Sequence, residues 1–420
     1  ALAILRDTEP ELHLRSVTLT AKDKICLCET RECTPEACPY ANGYYARIKG
    51  ALWDVLDVPC LTAETLQEYA ERHTVCPFEL GLDSSLWSDV IIGDYNYLFD
   101  PVVHLVRFFE SAGDYIFLVD EAHNLPGRAR EMHSAALTKT SFYEAKKLLG
   151  KGKSSLKNAL TKVNDVFIEW RHRAEEETAA RDGRFGKTFF LKERSEEFDH
   201  LLNRLCEPLE AWLDDHREPD ETHTALLQLY FDVRAWLRVA DTFDDHFVLQ
   251  ITASGSEVRA AQLCLDPSAF LADSFALGRA AVLFSATLAP PSFYRSVLGC
   301  SDARAVALDS PFPAENLGLY CLPNISTRYR DREASVQAVS DALAQLVQAR
   351  TGNYFAFFPS YAYLRQVHED FAARYPGIRT LVQESRLDDA ARAEFLAQFV
   401  PDPAETLLGF GVMGGIFGEG

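Results

Sequence analysis

The stretch Tyr115–Asn124, YIFLVDEAHN, decides how this chain is read. Its first five residues are apolar, β-branched or aromatic, and they end abruptly in an aspartate. That is the pattern of a short parallel strand buried on both faces. An acid at the C-terminal end of such a strand stands where open α/β sheets place their ligands. There Asp120 can hold Mg2+ through water, while Glu121 orients or deprotonates an attacking water. His123 is placed to relay the state of a bound nucleotide to a neighbouring domain. An Asp-Glu pair can equally be a plain helix N-cap after a strand. All four letters of Asp120-Glu121-Ala122-His123 behind that apolar run favour a nucleotide-hydrolysing site.

Working outward, residues 1–25 and 78–133 continue the α/β character. Asp89–Gly93 (DVIIG) reads as a second buried strand, and Ala63–Arg72 as a helix. From Thr138 to Thr242 the chain turns to long amphipathic helices. Leu201, Leu202, Leu205, Leu209, Trp212 and Leu213 fall near 3.6-residue spacing and make one apolar stripe. Polar breaks at Gly150–Lys153, Arg181–Gly186 and Arg217–Glu221 separate those helices. Two strand-like pieces follow, Phe247–Thr252 and Glu257–Leu265. Strand–helix alternation then returns with Ala281–Ser285, the helix Ala334–Arg350, the strand Tyr354–Phe358 and the strand Thr406–Val412. The expected fold class is α/β, one domain with two insertions followed by a second.

At 420 residues the chain is long enough for two to four domains. Its 47% hydrophobic and 25% charged content is that of a water-soluble protein, and no apolar run reaches membrane-spanning length. A cytoplasmic location is the expectation. The net charge of −20 argues against wholesale attraction to nucleic acid, though not against a local basic channel. Of ten cysteines, Cys26, Cys28, Cys33, Cys38, Cys60 and Cys76 lie within the first 76 residues. A cluster followed by scatter reads as a metal site plus core thiols. Four thiolates suit Zn2+ or an iron–sulfur cluster equally by chemistry. The spacing Cys26-x6-Cys33-x4-Cys38-x37-Cys76 has none of the C-x2-C knuckles typical of zinc.

Gly183-Arg184-Phe185-Gly186-Lys187-Thr188 ends like a phosphate-binding loop, but two residues separate its glycines instead of four. The polar EEETAARD before it is no buried strand, so it reads as a polar turn between helices. No G-x4-G-K-[ST] occurs in the 420 residues.

LVDEAHN resembles the Walker B box of DEAH helicases, and the flanking blocks narrow the likeness. TLTAKDKIC (Thr18–Cys26), CPYANGYY, CPFE and DVIIGDYNYLFDP (Asp89–Pro101) resemble the DinG/XPD type of superfamily 2 iron–sulfur DNA helicase. So do FSATLAPP (Phe284–Pro291), SPFPAEN (Ser310–Asn316), NYFAFFPSYAYL (Asn353–Leu364) and GGIFGEG (Gly414–Gly420), all in family order. The resemblance implies two RecA-like motor domains. Residues 1–25, 78–137 and 256–299 would form the first, and 300–420 a truncated second. An iron–sulfur domain (26–77) and a helical arch (138–255) would interrupt the first.

It implies a 4Fe–4S cluster on Cys26, Cys33, Cys38 and Cys76, with Cys28 and Cys60 as bystanders. It makes Asp120, Glu121 and His123 catalytic, and gives Gly414, Gly415, Glu419 and Gly420 to a loop facing nucleotide and DNA. ATP would be the substrate, with Mg2+. Single-stranded and forked duplex DNA would be partners, travel would be 5′ to 3′, and the setting DNA repair or replication. In this family the phosphate loop precedes the position of Ala1 and an arginine-bearing motif follows GGIFGEG. The 420 residues by themselves are therefore expected to be inactive. Lys139, Lys146, Lys147, Lys151 and Lys153 would reach phosphates or line a solvated helix face. Tyr95, Tyr97 and Phe99 would stack on bases or pack in a core. The rivals are a non-catalytic DNA-binding scaffold and a zinc-stabilised structural protein.

Overall fold

The computed structural model describes residues 2–9, 11–152, 154–180, 187–218, 220–385, 387, 389–414 and 417. Among these run twelve strands: β1 Ser16–Thr18, β2 Cys60–Leu61, β3 Val90–Ile92, β4 Ile116–Val119, β5 Ala135–Thr138, β6 Lys187–Leu191, β7 Phe247–Ser254, β8 Glu257–Cys264, β9 Ala280–Leu283, β10 Asn353–Phe358, β11 Arg379–Val382 and β12 Leu407–Val412. The chain divides into two compact units, Ala1–Val306 and Ala307–Gly420, close to the change expected at 300. No helix among the described residues is long and apolar enough to cross a membrane.

In the first unit β2, β1 and β3 form one parallel sheet, with Ser16 opposite both Cys60 and Val90. The helices Tyr44–Val55, Ala63–His73 and Pro77–Ser84 close a core of Val17, Ile25, Ile48, Leu66 and Leu80. Thr62 caps the helix expected at 63–72, accepting from Thr65 N at 3.3 Å. A second parallel pair, β4 with β9, matches Val119 to Leu283. The three strands expected at Asp89–Gly93, Tyr115–Asp120 and Ala281–Ser285 form, but burial on both faces does not. Ile116 is 64% exposed and Leu118 69%, while Val119 faces a core with Ala122, Leu125 and Leu271. The period-2 alternation of a strand puts successive side chains on opposite faces, and among the described residues one face stays open.

The 138–255 insertion is not purely helical. The helices Lys139–Leu148, Ser155–Ala180, Glu196–Asp215 and Glu221–Thr242 pack on an antiparallel sheet of order β5-β8-β7-β6. Phe142, Phe167, Phe198 and Trp236 are fully buried between them. The division expected at 255/256 falls inside the β7–β8 hairpin, whose Gly255 (φ 61°) turns the chain. The sheet therefore carries this layer from Ala135 to Cys264.

Residues 183–186 of the decoy loop lie outside the described residues. Its Lys187 and Thr188 open β6, which pairs with β7, so a strand follows where a helix was expected. Lys187 Nζ is spent on Glu175 at 2.9 Å.

The second unit holds a parallel sheet of order β10-β12-β11, the helices Arg332–Ala349 and Tyr361–Arg374, and a core around Phe358, Leu364, Phe371 and Phe410. Every residue of the central β12 is buried.

Candidate functional site

Asp120 follows β4 directly, at the C-terminal end of two parallel strands, as the sequence led one to expect. The turn there is unusual. Glu121 has φ 46°, a left-handed conformation that side chains with a Cβ rarely adopt. Local bonds brace it: Glu121 N donates to Asp120 Oδ1 at 2.8 Å, Asn124 N to Glu121 O at 2.9 Å, and Ala122 N to Phe284 O at 3.1 Å.

The side chains then converge on Ser285, two residues beyond β9. Ser285 Oγ donates to Glu121 Oε2 at 3.0 Å and lies 2.8 Å from His123 Nδ1, which is itself 3.2 Å from Glu121 Oε2. Thr287 N donates to the same hydroxyl at 3.2 Å. The hydroxyl of FSATL thus joins both DEAH side chains, a coupling that the spacing of 162 residues conceals. Its one sequence signal was the Ser-Ala-Thr just past the next parallel strand. About half of the Glu121 side chain stays open to solvent.

Tyr95 also enters this site. Its phenol donates to the backbone carbonyl of Asp120 and, at 3.0 Å, to that of Glu121. Burial first, then the carboxylates of Asp120, Glu121 and Asp94, push the phenol above its ordinary pKa, so it remains a donor. Base stacking is not what Tyr95, Tyr97 and Phe99 are arranged for. Tyr95 leads into the short helix Asn96–Phe99, Phe99 is 4% exposed in the core beneath the DEAH turn, and Tyr97 packs against the core of the first sheet.

A second cluster lies 19 to 69 residues upstream of Tyr95. Cys26, Cys28, Cys33, Cys38 and Cys76 line one cavity of about 260 Å3 together with Lys22. Cys60 is placed apart on β2. Cys28 lines the cavity with the others: its Sγ is 3.9 Å from that of Cys38, and loss of hydration followed by that contact pushes its pKa up to about 11. Cys33 is exposed, the other four half-buried. Burial pushes the Cys76 thiol up, while two backbone N–H groups and Lys22 act the other way. Lys22 itself loses hydration, yet Glu79 at 3.3 Å and the neighbouring thiols hold its pKa above the usual value.

Five thiols and a cation around one cavity fit an anionic thiolate-bound group. Among the described residues no three donors converge as they would on one metal ion.

The remaining assignments are scattered. Gly414 (φ 70°) follows β12 with open space where a Cβ would stand. Gly415, Glu419 and Gly420 lie outside the described residues, as does Lys153. Lys139 Nζ donates to Ser256 O at 3.1 Å, and Lys147 and Lys151 are exposed. Sequence reasoning missed Gln383, which is 3% exposed beyond β11. Its Oε1 accepts from Val412 N at 2.9 Å and its Nε2 donates to Tyr361 OH at 3.1 Å, tying the ends of β11 and β12 to the start of the helix Tyr361–Arg374.

Residues 10–142 match the DEAD_2 family and residues 343–420 the helicase C-terminal domain. The chain is 24% identical to the general transcription and DNA repair factor IIH helicase subunit XPD of Schizosaccharomyces pombe, over 83% of this chain and 52% of that protein. It is 22% identical to the ATP-dependent DNA helicase CHL1 of Coccidioides immitis, over 85% and 47%. A solved XPD helicase aligns over 99% of this chain and 70% of its own, at 17% identity and a TM-score of 0.48. The chain spans about half the length of the curated relatives it matches. With both helicase segments present in order, the chain belongs to the XPD/DinG-type superfamily 2 helicases.

Proposed function

We propose that the complete protein is an ATP-dependent DNA helicase that travels 5′ to 3′ on single-stranded DNA and opens forked duplexes in repair or replication. The observation that carries this is the Ser285 hydroxyl joining Glu121 and His123 at the ends of two parallel strands. In this reading the Glu121 carboxylate orients the attacking water and accepts its proton. His123 and Ser285 hold that carboxylate in place and sense its state. Asp120 would hold Mg2+ through water, and the ion, when bound, would neutralise phosphate charge. Gly414, Gly415, Glu419 and Gly420 would form the loop that answers to nucleotide and DNA.

Cys26, Cys33, Cys38 and Cys76 would hold a 4Fe–4S cluster whose role is to pin residues 26–77 against the motor as a wedge beside the DNA. The 135–264 layer would be the arch around the single strand. The likeness to helicases over most of the chain supports the DNA partner, and the cytoplasm is the compartment proposed.

The test is the complete reading frame, purified without oxygen. Hydrolysis of ATP stimulated by single-stranded DNA, and unwinding of a fork with a 5′ tail in preference to a 3′ tail, are expected. DNA binding with no hydrolysis would favour the scaffold reading instead.

A further inference from the structure

We infer that Tyr95 is a positioning residue for Glu121: its phenol holds the backbone of the DEAH turn in the left-handed conformation that aims the Glu121 carboxylate at Ser285. The inference rests on the helicase reading of that turn and adds a residue to it.

Three observations converge. Glu121 sits at φ 46°, where the backbone of a residue with a Cβ is strained and persists only if its surroundings hold it. The other braces, from Asp120 Oδ1, Asn124 N and Phe284 O, come from the turn itself or from the segment after β9. Tyr95 comes from neither. It is delivered by the segment after β3, in a sheet that shares no ladder with β4. Its hydroxyl meets two successive carbonyls, those of Asp120 and Glu121, the peptide units that set the torsions of Glu121.

Tyr95 is itself fixed. Phe99 N donates to Tyr95 O at 2.9 Å, and its ring meets the buried Phe99 ring edge-on at 6.3 Å. A rigid donor from a second sheet therefore sets the angle of the carboxylate that must line up water. A misaligned general base loses rate without losing substrate affinity.

The experiment compares Tyr95→Phe, Tyr95→Leu and Tyr97→Phe in the complete protein. Tyr95→Phe keeps the ring and its contact with Phe99 and removes only the hydroxyl. It should lower kcat for DNA-stimulated ATP hydrolysis roughly fivefold, the weight of one lost hydrogen bond. KM for ATP, affinity for single-stranded DNA and thermal midpoint should stay near wild type. Tyr97→Phe, from the same segment, should change none of these. In a Glu121→Gln background Tyr95→Phe should cost nothing further, because the group it positions is gone. Wild-type kcat in Tyr95→Phe, with a loss only in Tyr95→Leu, would reduce Tyr95 to packing and overturn the inference. So would a matched fall in kcat, DNA affinity and melting temperature. A wild-type protein that hydrolyses no ATP would sink the helicase reading and this inference with it, an outcome distinct from an active wild type with an indifferent Tyr95→Phe.

Discussion

Glu121 and Ser285 stand 164 residues apart in sequence and 3.0 Å apart in space, and the proposed role of Glu121 rests on that contact. Glu121→Gln keeps the size and hydrogen bonding of the side chain but removes the basic carboxylate. In the complete protein it should cut ATP turnover by roughly 10^2- to 10^4-fold while ATP and DNA binding persist. Steady-state hydrolysis and filter binding check this, and a wild-type rate would remove Glu121 from the mechanism. The glycines of β12 act at the same scale by absence. A Cβ on Gly411 would lie 2.5 Å from the Phe355 ring, and one on Gly409 2.8 Å from Phe355 and Phe399. Gly411→Ala is therefore expected to destabilise the second unit by about 1–3 kcal/mol, read from denaturant unfolding. An unchanged midpoint would show that the phenylalanine cluster yields.

At the scale of elements, the insertion shows how a helix stripe and a buried charge coexist. The stripe read from Leu201 to Leu213 lies on the helix Glu196–Asp215, with Leu202, Leu205 and Leu209 fully buried. The same helix carries Asp199, 6% exposed, whose Oδ1 accepts from Trp236 Nε1 at 2.8 Å while Oδ2 finds no hydrogen-bond partner among the described residues. Burial raises the pKa of this carboxyl, outweighing the Trp236 bond. The folded chain then binds this proton more tightly than the unfolded chain. The stability so gained is present in acid and is lost as pH rises from the ordinary carboxylate value through the raised one. Asp199→Asn keeps the acceptor for Trp236 and removes the charge. It should raise stability at neutral pH by about 1 kcal/mol, with the gain shrinking toward pH ~4. Unfolding curves across that range test the sign; a loss at neutral pH would mean the carboxylate is satisfied.

For the whole molecule, two expectations separate the motor from the thiol site. The 420 residues by themselves should hydrolyse ATP negligibly, because no G-x4-G-K-[ST] occurs to cradle the phosphates. Robust turnover abolished by Glu121→Gln would overturn that. In the complete protein, Ser at Cys26, Cys33, Cys38 or Cys76 replaces a soft thiolate with a poor iron ligand. Each should lower iron, sulfide and unwinding together, since ligand binding there is folding energy for the small domain. Cys60→Ser, on β2, should keep its iron, and so should Cys28→Ser. Cys28 is the informative case, because it shares the cavity and touches Cys38 while Cys33 is exposed. Iron lost on Cys28→Ser but kept on Cys33→Ser would exchange the two. Zinc in place of iron throughout would overturn the cluster.

The α/β class, the strands that carry DEAH and FSATL, the amphipathic helices and the family could be read from the residues alone. Those rest on local periodicity and on contiguous letters, which neighbours in the chain suffice to express. Sequence reading misjudged what depends on residues far apart. The open face of β4 and β9, the strands β5 and β6 that complete an antiparallel sheet with the two strand-like pieces read from sequence, and the contact of Cys28 with Cys38 were not legible. Nor were the roles of Tyr95, Ser285 and Gln383. Each of these is a hydrogen bond or a packed face between segments that the chain brings together only on folding. A tyrosine looks the same in sequence whether its hydroxyl meets a base, a core or two carbonyls of a strained turn. Tertiary structure chose the last, because the segment after β3 sets that phenol against the end of β4.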